Sequence, residues 1–130
     1  MKISRATDQP TAKGSGEWFT GDVYVDNIAL DGSGISGGVV HFTPGARTAW
    51  HTHELGQTIH IIDGVGLVQR EGEARIEVRP GDTVFFEPGE SHWHGAAPDH
   101  VMVHVAIVRI PEAGDATTWG TLVTDEEYGE

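Results

Sequence analysis

The chain has 130 residues, 38% hydrophobic and 22% charged, the size and makeup of one globular domain with a single core. Eight Lys and Arg stand against 20 Asp and Glu, and a net charge of −12 argues against nucleic-acid and membrane partners. The lack of cysteine excludes disulfides and thiolate chemistry. With no apolar run of spanning length and no signal pattern at the N-terminus, the expected location is cytoplasmic.

Residues 1–16, ending Ala12-Lys-Gly-Ser-Gly16, read as an N-terminal arm, and residues 17–130 as one β domain with a short C-terminal tail. Trp18–Val25 and Gly38–Phe42 are rich in β-formers. Gln57–Ile62 precedes an Asp63-Gly64 turn, and Gly66–Gln69 precedes an Arg70–Glu73 turn. Ala74–Val78, a Pro80-Gly81 break, Thr83–Phe86 and His100–Val108 complete the series. Short strands at this spacing predict an antiparallel sandwich or barrel. Thr124-Asp-Glu-Glu could start a short helix, while Asp125–Glu130 reads as a solvated acidic end.

Four side chains suggest a metal site. His51, His53 and Gln57 are all odd-numbered and would share one face of an extended chain, and His92 adds a fourth ligand. Imidazoles suit Mn, Fe, Ni, Cu or Zn, and an amide oxygen leans toward a harder ion with more than four ligands. His94 has the parity of His92 and should face the interior with it. His104 shares a face with Met102, Ala106 and Val108, and by the same alternation Val40, Met102 and Val108 would shape a substrate pocket. His94 could instead orient a ligand, His104 could satisfy a buried carbonyl, and Thr48 is at home in any strand. His41, His60 and His100 read as surface or interface residues; the four Trp read as core or subunit contacts.

The motifs around these ligands resemble those of the cupins, antiparallel double-stranded β-helix (jelly-roll) barrels. The first cupin motif corresponds to Gly45, His51, His53, Gln57 and Gly64, with Gln in place of Glu. The second corresponds to Gly81, Glu87-Pro88-Gly89 and His92, with Glu87 replacing the Pro of Pro-x-Gly and Ala96 replacing Asn. More narrowly, Pro44–His53, Leu55–Thr58, Pro88–Pro98, Trp18–Gly21 and Val123–Glu126 look like the bacterial cupin hydroxynitrile lyases. That resemblance implies an all-β single-domain cupin barrel binding one divalent metal, manganese foremost, through His51, His53, Gln57 and His92. Iron, nickel and zinc are the alternatives. It further implies that Thr48, His94 and His104 serve the active site.

Such a site would cleave or form cyanohydrins such as mandelonitrile. Three neutral imidazoles and a neutral amide leave the charge of the ion undiminished, as Lewis-acid chemistry needs. A histidine is the natural base, with His94 kept neutral beside a cation. A cupin dioxygenase or oxidase acting on a phenol or diketone is the rival reading, and a non-catalytic metal-binding module is the third. The expected partners are a small-molecule substrate and further copies of the chain, as a homo-dimer or homo-tetramer.

Overall fold

A computed structural model describes residues 1–129. Its strands are β1 (Ala12–Lys13), β2 (Phe19–Thr20), β3 (Val23–Asn27), β4 (Ile35–Phe42), β5 (Arg47–Thr48), β6 (His51–Thr52) and β7 (Gln57–Gly64). They continue with β8 (Gly66–Arg70), β9 (Ile76–Val78), β10 (Thr83–Phe86), β11 (His92–Ala96), β12 (Met102–Arg109) and β13 (Thr118–Trp119), before a helix α1 (Asp125–Tyr128). No helix among the described residues is long and apolar enough to cross a membrane.

All pairings are antiparallel, in two sheets. One runs β1-β3-β4-β12-β7-β10; in the other β11 pairs with β5, β6 and β8, extended by β2, β13 and β9. The central strands alternate as the sequence suggests: on β12, Met102, His104, Ala106 and Val108 are buried, and on β7, Gln57, Ile59 and Ile61 are. Their inward faces meet Val68, Val78 and Ala96 of the second sheet in one apolar core. Residues 12–13 of the expected arm pair with Tyr24 and Val25 at the edge of their own sheet.

Two irregularities position the site. The register of β12 on β7 shifts between Val103 and His104, so that Val103 opposes Asp63 while His104 opposes Ile61. One residue of β7, Ile62, is left without an opposite number, and this bulge brings the inward-facing Ile61 opposite His104. Gly95 lies where β11 passes closest to β5: a Cβ there would sit 2.4 Å from the Ala46 carbonyl oxygen, so only glycine allows the approach. The predicted turn at Asp63-Gly64 moves by one residue, because β7 continues through Gly64 (φ 77°) and Val65 alone joins it to β8.

Every residue of β11 is buried. His92, His94 and Ala96 face the interior, and Trp93 is covered on the outer side by Val123 and Tyr128. Asp125, Glu126 and Glu127 of the C-terminal segment are exposed, as an acidic end should be, but Tyr128 anchors it; Glu130 lies outside the described residues. Thr124 caps α1 through a capping box with Glu127, and Gly129 ends it in the left-handed region. The Tyr128 hydroxyl donates to the Ala96 carbonyl over 2.6 Å.

Candidate functional site

His51 lies on β6, His53 just beyond it and His92 at the start of β11, opposite His51. One ring nitrogen from each comes within 4.8 Å of the others. Each Nδ1 is committed to a backbone carbonyl, which can only accept: Ala49 for His51 (2.9 Å), Ala116 for His53 (3.0 Å) and Glu90 for His92 (2.8 Å). The proton is thereby fixed on Nδ1, and the three Nε2 lone pairs are left free to converge. His53 Nε2 is buried with no hydrogen-bond partner among the described residues. Phe86 stacks flat on the His92 ring, 3.7 Å between centroids, and holds its orientation.

Gln57 joins this group by another route than the parity argument supposes. Odd spacing explains His51 and His53, but the chain turns over residues 53–56, and Gln57 opens β7 in the opposite sheet. The barrel closure, rather than a shared strand face, brings its Oε1 to 3.2 Å from His92 Nε2. Since His92 carries its proton on Nδ1, this contact sets two lone pairs against each other unless the amide turns over or a cation lies between them. The orphaned His53 nitrogen and this lone-pair contact both fit a bound metal ion.

Burial keeps these imidazoles neutral. Desolvation lowers His51 to about 4 and His92 to about 2, and lowers His53 as well. Neighbouring histidines add a smaller effect of the same sign on His51 and His92. Neutral imidazole is the form that ligates metal.

Beside this cluster lies a cavity of about 210 Å³, lined by His51, His53, Gln57, Thr48, His94 and His104 and by an apolar wall that includes Val40 and Val108. His94 Nδ1 and His104 Nε2 are hydrogen-bonded at 2.9 Å, and neither His94 Nε2 nor His104 Nδ1 has a protein partner among the described residues. Burial pushes the His94 pKa well down, with His104 adding to it, and lowers His104 to about 4. The Thr48 hydroxyl accepts from the His94 backbone N–H at 3.2 Å and so ties β5 to the functional strand.

Of the three residues expected to shape the pocket, Val40 and Val108 do so; Met102 does not. It begins β12 at the far end of the barrel from Val108, opposite Gly64 and Phe42, and is fully buried in the core. Residues that composition and spacing did not single out take its place: Phe19, Phe42, Thr117 and Trp119. The Trp119 ring lies 4.8 Å from that of His51 and stacks on Trp18 at 5.2 Å. Thr117 and Trp119 carry no metal-binding signature of their own, and only the pairing of β13 with β6 reveals them. His60 and His100 are exposed, and His41 is a half-exposed partner of Asp26.

The pattern of the cupin domain matches residues 38–108, which contain every metal-ligand residue proposed above together with His94 and His104. Over 130 residues the chain is 51% identical to an (R)-mandelonitrile lyase of Granulicella tundricola, covering 98% of each. A solved cupin-like protein of Thermotoga maritima superposes with a TM-score of 0.86 at 38% identity over 92% of both chains. The polyketide cyclase RemF of Streptomyces resistomycificus shares the fold at 20% identity, with a TM-score of 0.68 over 98% of this chain and 90% of that one. On the domain match and the full-length relatives, this chain belongs to the cupin family.

Proposed function

We propose that the protein is a metal-dependent lyase that splits cyanohydrins of the mandelonitrile type into an aldehyde and cyanide, and joins them in reverse. The observation that carries this reading is that His53 and His94 line one cavity, and each keeps a buried Nε2 without a hydrogen-bond partner among the described residues. One orphaned nitrogen suits a metal ligand and the other a base. The 51% identical relative named as an (R)-mandelonitrile lyase supports the substrate class.

His51, His53, Gln57 and His92 would hold one divalent ion, Mn²⁺ in this reading, and when bound it supplies Lewis acidity toward the substrate oxygen and the departing anion. The remaining work belongs to the chain. With His94 Nδ1 donating to His104 Nε2, His94 Nε2 presents its lone pair to the cavity and takes the substrate hydroxyl proton. The carbon–carbon bond to the nitrile then breaks, its electron pair leaving with cyanide as the oxygen becomes the aldehyde carbonyl. His94 returns the proton to cyanide and is neutral again. His104 fixes the tautomer that makes His94 a base, and Thr48 fixes the strand on which His94 sits. Val40, Val108, Phe42 and Trp119 offer the apolar surface that excludes water and takes an aryl group.

Cyanide release from each enantiomer of mandelonitrile, by protein stripped of metal and by protein reloaded with Mn²⁺, Fe²⁺ or Zn²⁺, tests the reading. Ion-dependent release from one enantiomer is expected. Release no faster than the spontaneous rate with every ion refutes it. In that event oxygen consumption with a phenol or diketone tests the oxygenase alternative, which the same histidines would serve.

A further inference from the structure

Arg47 is 5% exposed, yet the chemistry above makes no use of it. Its Nη2 donates to the Val123 carbonyl (2.8 Å) and to Asp125 Oδ1 (2.9 Å), and its guanidinium lies 4.4 Å from the centre of the Tyr128 ring. A buried arginine is retained where its planar fork meets several partners at once. Apart from a long bond from Nη1 to the nearby Gly45 carbonyl (3.4 Å), its partners all belong to the last eight residues of the chain. Upstream of them, the Gly120 N–H donates to the Trp50 carbonyl (2.7 Å) and the Trp50 N–H to the Thr121 carbonyl (2.9 Å). Further upstream, Trp119 pairs with His51 and packs on its ring, and the Ala116 carbonyl and Thr117 Oγ1 (3.1 Å) both face His53 Nδ1.

We infer that residues 116–129 form a strap that positions His51 and His53, and that Arg47 is the lock that holds the strap down. This inference rests on the metal-site reading above. Arg47 and Thr117 are positioning residues: they act on the ion only through the two imidazoles. Asp125 is 83% exposed and stays solvated without its partner, so an apolar replacement of Arg47 leaves no stranded buried charge.

The test uses the full chain, with Mn²⁺ alone as the probe. Binding is followed by the electron paramagnetic resonance of free Mn²⁺, and strap release by hydrogen exchange of the Trp50 and Gly120 amides. Arg47→Met should speed that exchange and weaken Mn²⁺ binding about 10- to 100-fold, the range for a lost partner of a ligating histidine. Tyr128→Phe, which loses the hydroxyl's bond to Ala96 and keeps the ring, should do both to a smaller extent and carries the test if Arg47→Met does not fold. Met102→Ala, destabilised in the core away from the strap, should keep wild-type affinity below its own melting temperature. Faster exchange with unchanged affinity overturns the positioning role; unchanged exchange overturns the lock. Wild-type protein that fails to bind Mn²⁺ overturns the metal-site reading and the strap's purpose together.

Discussion

His94 Nδ1 and His104 Nε2 lie 2.9 Å apart, so two neutral imidazoles share one proton between them. Which ring holds it decides whether His94 Nε2 carries a lone pair or a proton. In the proposed mechanism His104 is therefore as necessary to the base as His94.

Substituting either member should separate chemistry from ion binding. His94→Ala should lower kcat by about 10²–10⁴, the usual contribution of a positioned general base. His104→Phe should lower it by at least tenfold, since the tautomer is no longer set. Both variants should bind the ion within about threefold of wild type. Steady-state cyanide release together with metal content checks this, and equal loss of both properties would place the pair among the ligands.

His53→Ala removes the proposed ligand whose Nε2 has no hydrogen-bond partner among the described residues. Metal content after dialysis should fall below one tenth of the wild-type level, and cyanide release should vanish with it. Wild-type activity in this variant would sink the metal mechanism.

Gln57→Glu tests the importance of a neutral ligand set. A carboxylate there should tighten ion binding by simple attraction and lower kcat, because part of the ion's charge is cancelled. The opposite pattern, weaker binding with faster turnover, would show that Gln57 only hydrogen-bonds to His92.

Protein freed of metal should be acid-labile. His51 and His104 have folded pKa values near 4 and His92 near 2, against about 6.5 unfolded, so between these limits the unfolded chain binds more protons. Stability contributed by the neutral imidazoles is full above pH 6.5 and falls as pH drops toward 4. Relief of the −12 net charge would act in the other direction, so a falling melting temperature identifies the histidines. Thermal scans of chelator-treated protein from pH 7.5 to 4.5 measure this; a flat or rising profile contradicts it.

Met102→Ala should cost about 2–5 kcal/mol of stability through the cavity it leaves, with unchanged preference among aryl cyanohydrins. Val108→Ala, on the cavity wall, should shift that preference at smaller cost to stability. Chemical denaturation and a substrate panel distinguish the two.

The candidate ligands could be read from the sequence because motif spacing is local: Gly45 to Gly64 and Gly81 to His92 are each a short run of chain that crosses from one sheet to the other. Alternation likewise exposed the inward faces of β4 and β12, where one side meets the core. The strap was not legible. The Ala116–His53 contact joins residues 63 apart, and an alanine carbonyl has no side-chain signature. The acidic composition of 125–130 hid Tyr128, whose burial depends on the outer face of β11 being left uncovered by either sheet. Met102 was misplaced because alternation gives the side of a strand, not the height along the barrel.

Gln57 belongs to one sheet, while His51 and His92 belong to the other. An ion gripped by all of them would rivet the barrel across its seam, and could not depart without the two walls parting. Its off-rate would then measure how often the barrel breathes. Chelators would strip the protein at a pace that levels off with their concentration, set by the molecule's own opening.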